Sequence, residues 1–227
     1  MTPARVAVID LGLGNVGSVI NMLKKAGARA EAVLEPPRLA EFDRLVLPGV
    51  GAFDRGMERL DDAGWRPALE REVVACGKPI LGICLGLQLF CKSSEEGVRP
   101  GLGWLDARVV RFRPASSDGR PLRVPHMGWN EVSVASRDPL FAGEASPGHA
   151  AGAPRWKFYF LHSYHVQMTQ SPMTQAAEAA LVQATCRYGD VFPCALRSGN
   201  VMGVQFHPEK SHAYGLRFLK NFVEAQF

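Results

Sequence analysis

Along the first hundred positions the apolar residues follow two alternating rhythms. Short unbroken runs bounded by Gly, Pro or charge give way to stretches in which apolar residues recur every three or four positions. Arg5 to Ile9 reads as a buried strand. Asn15 to Ala26 predicts a helix, with Asn15 as its cap and Gly27 at the left-handed position that ends it. Leu45 to Leu47 gives a second short strand, and Pro67 to Cys76 a helix with proline in its first turn and Gly77 beyond its end. Ile80 to Ile83 is a third buried strand running into Cys84. Strands alternating with helices predict a parallel sheet covered by helices.

From Trp104 the pattern changes to closely spaced strand-like runs: Ala107 to Phe112, Glu131 to Val134, Lys157 to Leu161, Leu181 to Tyr188, Val191 to Arg197 and Val201 to Phe206. Such spacing suggests hairpins, hence a mixed sheet or an added antiparallel layer. A last amphipathic helix, His212 to Glu224, offers Leu216, Leu219, Phe222 and Val223 to the sheet. Ala142 to Arg155 and Met168 to Ala179 read as surface loops. The expected class is α/β: a mixed, mostly parallel central sheet with helices on both faces and an added antiparallel layer.

Composition narrows this picture. A chain of 227 residues with 47% hydrophobic content can bury one core without disulfides or metals, so one domain spanning 1–227 is expected. The net charge of +4 arises from 26 basic and 22 acidic residues that are scattered, which argues against a nucleic-acid partner. No apolar run approaches the roughly 20 residues that span a bilayer, and Met1-Thr2-Pro3-Ala4-Arg5 leads straight into a strand, so no membrane partner and a cytoplasmic location are expected. Five cysteines without a C-x-x-C pair fit reduced thiols.

Candidate chemistry begins at Gly82-Ile83-Cys84-Leu85-Gly86, a strand, tight turn and helix start. This is the cysteine version of the turn that exposes the nucleophile in G-x-S-x-G hydrolases. The helix N-terminus there favours thiolate over thiol. From this pattern alone, a buried core cysteine stays open as the alternative. Near the C-terminus, Gln205-Phe206-His207-Pro208-Glu209-Lys210 follows an apolar strand, so its polar residues emerge where such a sheet places its site. Glu209 can hold His207 in the tautomer whose free nitrogen faces the thiol, giving a catalytic set of Cys84, His207 and Glu209. A surface His and Glu at a strand end is the plainer reading of that segment by itself. For an oxyanion, the amide of Leu85 is one donor, and the turn Pro48-Gly49-Val50-Gly51 can bring a second from Val50 or Gly51, unless it is an ordinary β-to-α turn.

These segments, together with Gln88, Pro125-His126-Met127-Gly128-Trp129-Asn130 and Phe206-His207-Pro208-Glu209-Lys210-Ser211, resemble in order and spacing the glutaminase subunit of imidazole glycerol phosphate synthase. That family lies within the class I glutamine amidotransferases, whose fold is flavodoxin-like. The resemblance covers nearly the whole chain. It implies that glutamine forms a γ-glutamyl thioester on Cys84 and releases ammonia to a (β/α)₈ cyclase partner in a heterodimer, for histidine biosynthesis, without a cofactor or metal. It also implies glutamine recognition by Gln88, Glu96, Ser163, Tyr164 and the backbone of Gly51, whose donors and acceptors suit an amino-acid ligand. Asn15, Met127, Trp129 and Lys210 would face the partner, with Trp129 as an aromatic anchor or, alternatively, a core Trp.

The chain departs from the family in places. Leu11 stands where Tyr is common, and the two loops look longer than usual. The run Tyr159 to His165 and the segment Tyr188 to Cys194 resemble second-copy relatives that serve amidation of surface-polysaccharide sugars, which leaves the ammonia acceptor open. Gly12-Leu13-Gly14-Asn15-Val16-Gly17 matches the dinucleotide fingerprint, with Glu31 and Glu35 downstream, but that reading leaves Cys84, His207 and Glu209 unexplained. The papain-type local signature is missing, and His162 and His165 lack neighbouring ligands for a metal site.

Overall fold

In the computed structural model the described residues are 2–62, 64–113, 119, 121–134, 138–143, 156–169 and 180–227. The first strand, β1 (Arg5–Ile9), shows why the core divides in two: Val6 and Val8 face one layer, Ala7 and Ile9 the other. The same alternation continues in β3 (Arg44–Gly49) and β4 (Ile80–Cys84), while β2 (Arg29–Val33), at the sheet edge, buries Ala30 and Val33 and exposes Arg29 and Glu31. Strands buried on both faces carry near-continuous apolar runs because helices cover both sides of a parallel sheet.

One layer is α1 (Val16–Lys25) with the C-terminal helix α5 (His212–Glu224). Asn15 caps α1 by accepting a hydrogen bond from Ser18 N at 3.1 Å. Gly27 follows its end at φ 96°, a conformation that favours glycine. In α5 the buried residues are Gly215, Phe218, Leu219, Phe222 and Val223; Leu216, expected in the core, is only partly buried because Phe218 occupies the centre of the buried stripe. The opposite layer is α2 (Phe53–Asp62), α3 (Trp65–Leu69) and α4 (Leu85–Leu89). The helix expected at Pro67 to Cys76 starts earlier, at Trp65, and continues from Glu70 to Ala75 in wider π turns, as in the bond from Cys76 N to Arg71 O at 2.9 Å.

Among the described residues the main sheet has the order β2-β1-β3-β4-β12-β11-β10-β7-β8. Here β7 is His126–Val134, β8 Trp156–His162, β10 Val182–Tyr188, β11 Asp190–Ser198 and β12 Val201–Val204. The first half is parallel and the second antiparallel. The expected hairpins thus extend the central sheet itself, leaving it evenly mixed rather than mostly parallel. A separate three-stranded sheet joins β5 (Ser93–Ser94), β6 (Ala107–Arg111) and β9 (Tyr164–Met168). The two expected loops fall largely at 144–155 and 170–179, outside the described residues. No described helix is long and apolar enough to cross a membrane.

Candidate active site

The register of the parallel strands builds the site. On one side of β4, Gly49 pairs with Cys84; on the other, Val204 pairs with Ile83. One step further along, Gln205 therefore comes level with Cys84, and His207 follows at the same carboxyl edge, where parallel sheets place their sites. Residues more than a hundred positions apart converge because β12 inserts directly beside β4.

Cys84 itself carries the turn. Its φ of 54° and ψ of −104° lie where L-residues are rare and strained, so the bend is concentrated on the expected nucleophile. The flanking glycines serve close packing and not the bend itself, since neither has a positive φ. A Cβ on Gly86 would sit 1.9 Å from Leu47 O, and one on Gly82 2.6 Å from the backbone of Gly86 and Leu87. They permit β3, β4 and α4 to approach closely. Cys84 is 6% exposed, and its sulfur has Leu161 O at 3.9 Å and Gln205 Nε2 at 3.6 Å.

His207 Nδ1 lies 2.8 Å from Glu209 Oε1, both side chains being almost fully buried. Because a carboxylate only accepts, Nδ1 carries the proton and Nε2 is the free position. Nε2 is buried without a hydrogen-bond partner among the described residues. Desolvation lowers the His207 imidazole, but interactions with Cys84 and Glu209 outweigh it and push it up to about 10. The ring is held from behind: His207 N donates to Tyr159 O at 2.9 Å, and the Ser211 hydroxyl donates to His207 O at 2.6 Å while accepting from Tyr159 N at 3.0 Å. Nothing in the sequence marks Ser211 for this duty.

For the expected oxyanion donors, Leu85 opens α4, so its N–H is among the first-turn donors that lack an intrahelical acceptor. Val50 is exposed, but its N–H donates to Leu13 O at 3.2 Å and is already engaged. Gly51, at φ 107°, turns the chain into α2.

Gln88, 4% exposed, donates through Nε2 to Tyr164 O and to Gln205 Oε1, each at 3.2 Å. Ser163 forms the bend between β8 and β9, Tyr164 opens β9, and both are half-buried. Glu96 is half-buried too, and its Oε2 accepts from Phe53 N at 2.8 Å, which fastens its loop to the start of α2.

Behind Tyr164 lies a buried chain that the sequence reading missed. His162 Nδ1 is 2.7 Å from Tyr164 O, His162 Nε2 is 3.1 Å from His126 Nδ1, and His126 Nε2 is 3.4 Å from Asn130 Nδ2. Burial lowers His126 to about 4 and carries His162 well below the ordinary imidazole value, so both rings are neutral at pH 7. Tyr164 O can only accept, which fixes every proton: Asn130 donates to His126, His126 to His162, and His162 to the carbonyl. His162 and His165 are thus ring neighbours of Phe112, and no metal-holding group of His, Cys, Asp and Glu occurs among the described residues.

The expected partner-facing residues largely share one surface. On β7, Met127 and Trp129 are 66% and 41% exposed. Trp129 is thus a surface residue, stacked on His212 at 5.5 Å. Lys210 Nζ lies 5.9 Å over the Tyr159 ring, and Tyr159 pairs with Trp129 across the strands. Asn15 is exposed, its side chain engaged as the α1 cap. Leu11 is buried at 8% exposure.

A family model described as glutamine amidotransferase class-I matches residues 7–225. Imidazole glycerol phosphate synthase subunit HisH 2 of Pseudomonas aeruginosa is 42% identical over 219 residues, spanning 96% of this chain and 98% of that one. Subunit HisH of a Synechococcus species is 44% identical over 226 residues, spanning 99% and 94%. The glutaminase domain of Trypanosoma brucei CTPS, solved with bound acivicin, shares the fold at a TM-score of 0.62 and 16% identity, covering 99% of this chain and 95% of that one. The chain belongs to the class I glutamine amidotransferases and, within them, to the HisH subunits of imidazole glycerol phosphate synthase.

Proposed function

We propose that this chain hydrolyses L-glutamine to glutamate and ammonia and delivers the ammonia to a (β/α)₈ cyclase subunit, for imidazole glycerol phosphate formation in histidine biosynthesis. The observation that carries the reading is the state of His207. One ring nitrogen is fixed by Glu209 at 2.8 Å, the other is buried without a hydrogen-bond partner among the described residues, and, against burial, which lowers the ring, the charge-stabilising interactions with Cys84 and Glu209 raise it to about 10. An imidazolium that persists near neutrality is the form that accompanies a cysteine thiolate.

In this mechanism the Cys84 proton passes to His207 Nε2. The thiolate attacks the carboxamide carbon of glutamine, and the C–O π electrons move onto oxygen. As the C–N bond breaks, His207 returns its proton to nitrogen and ammonia leaves, with a γ-glutamyl thioester on sulfur. His207 then takes a proton from water, hydroxide attacks the thioester, and the C–S bond breaks to give glutamate and regenerate Cys84. Leu85 N–H stabilises the oxyanion in both halves. Val50 N–H can join only when its bond to Leu13 O is released, so the resting chain presents fewer donors than the reaction uses. Gln88, Glu96, Ser163, Tyr164 and the Gly51 backbone hold the amino acid, and Asn15, Met127, Trp129 and Lys210 meet the cyclase.

In the complex, Cys84→Ala should abolish glutamine-dependent product formation, by a factor of about 10³ or more, and leave synthesis from added ammonium salts intact. Loss of both would assign Cys84 to assembly and refute the nucleophile. A second acceptor is suggested by the runs Tyr159 to His165 and Tyr188 to Cys194, which resemble second-copy relatives. Amidation of a surface-polysaccharide sugar is that alternative. Mixing the chain with each candidate cyclase-like subunit and identifying the aminated product separates the two.

A further inference from the structure

Gln205 lies inside the motif that carries His207, yet the proposed triad gives it no task. We propose that the Gln205 side-chain amide is the hydrogen-bond donor that favours the thiolate form of Cys84, and that Gln88 sets its orientation. The inference rests on Cys84 being the nucleophile and adds a residue to that chemistry.

Position comes first. Gln205 is one residue past the pairing of Val204 with Ile83, which brings it level with Cys84. It is fully buried, and its N–H is tied to Cys194 O at 2.9 Å, so its backbone has little freedom. Side-chain polarity is then set by a chain of amides. Tyr164 O can only accept, so the Gln88 group 3.2 Å from it is the NH₂. The second hydrogen of that NH₂ reaches Gln205 Oε1 at 3.2 Å. With Oε1 so engaged, the Gln205 NH₂ is the group 3.6 Å from Cys84 Sγ.

Besides His207, which takes the proton, the sulfur has two hydrogen-bonding neighbours with opposite effects. Leu161 O, at 3.9 Å, accepts from the S–H and supports the thiol. The Gln205 N–H groups gain when the sulfur becomes negative, because a hydrogen bond to an ion is about twice as strong as one between neutral groups. With the residue only 6% exposed, water is poorly placed to supply that donor. Ionisation is balanced within the site: the S–H bond breaks, the electron pair stays on sulfur, and the proton moves to His207 Nε2. A buried glutamine amide has no packing advantage over leucine here, whereas its donor sits on the atom that must carry charge.

The test is the pH dependence of Cys84 alkylation by iodoacetamide in the full chain. It is followed on the Cys84-bearing peptide because Cys76 is exposed and reacts as well. Gln205→Leu should move the pH of half-maximal alkylation up by about one unit, a tenfold loss of thiolate at fixed pH. Gln205→Glu, nearly the same shape, should move it up further by placing a carboxylate beside the sulfur. Gln88→Met should shift it less, in the same direction. A slower reaction with an unmoved midpoint in Gln205→Glu would assign Gln205 to packing and overturn the proposal, even if the leucine variant fails to fold. Retained glutamine hydrolysis in Cys84→Ala would instead refute the nucleophile, leaving the alkylation result readable by itself.

Discussion

At the scale of single residues the site combines strain with close approach. Cys84 holds a positive φ, and Gly82 and Gly86 let helix and strands meet where any side chain would collide with backbone. Ser211 completes the support behind His207 because its hydroxyl both donates and accepts, bridging Tyr159 N to His207 O. Ser211→Ala should therefore leave a buried N–H unpaired and lower stability by about 1–3 kcal/mol, measured by urea unfolding. Turnover with glutamine should drop through kcat more than KM, since the ring loses its backing and the substrate contacts do not. A normal kcat would show that the Tyr159 bond alone positions the ring. Cys84, His207 and Glu209 were legible in the sequence because their residue types stand in short motifs at strand ends. Gln205 was not, although it lies two positions from His207. Its meaning depends on the register between β12 and β4, which no local pattern reveals.

At the scale of elements, β7, β8 and β9 are joined through the buried chain Asn130, His126, His162 and Tyr164 O. This chain couples the strand bearing Met127 and Trp129 to the bend bearing Ser163. Its rings titrate below their ordinary value, chiefly through desolvation, and His165 is lowered for the same reason. A depressed imidazole contributes stability that is complete above about 6.5 and is lost as pH falls toward the folded value, about 4 for His126, because the unfolded chain binds the proton first. His207, raised to about 10, keeps its full contribution throughout that acid window and loses it only as pH rises from about 6.5 to about 10. Unfolding free energy should thus fall between pH 6.5 and 4.5 by about 1.4 kcal/mol per pH unit for His126, with His162 and His165 acting in the same direction. His126→Phe keeps a ring against Phe160 and Tyr188, which stack on His126, and should flatten the slope by about one ring's share. An unchanged slope across a urea series would mean that His126 does not titrate there. The same scale shows which elements the sequence could announce. α1 and α5 were readable from caps and periodicity. β2 was not, because Arg29-Ala30-Glu31-Ala32-Val33 pairs small residues with charges and owes its strand state to β1. α2 also escaped, since Gly56 interrupts its pattern to admit Leu89 of α4.

At the scale of the molecule, the carboxyl edge of the parallel half and the β7 strand of the antiparallel half present exposed apolar groups. Val50, Met127 and Trp129 are 42%, 66% and 41% exposed. Val50 lies within the expected oxyanion turn, and Trp129 is across the strand pairing from Tyr159, whose carbonyl holds His207. A partner seated here would therefore press on both walls of the site at once, which gives the proposed cyclase a physical means of favouring release of the Val50 N–H from Leu13 O. Trp129 is already ordered by stacking on His212 with an interplanar angle of 3°, so little side-chain freedom is left to lose on docking, a property of aromatic anchors. Trp129→Ala should weaken cyclase binding by about 2 kcal/mol or more, roughly thirtyfold in Kd, by calorimetric titration. The urea midpoint of the free chain should move much less, because two-fifths of the side chain is in water before any partner arrives. The same variant should lower cyclase-stimulated glutamine turnover at limiting partner, with recovery as the partner is raised. Undiminished affinity would place the cyclase on another face and separate Trp129 from the path by which ammonia leaves Cys84.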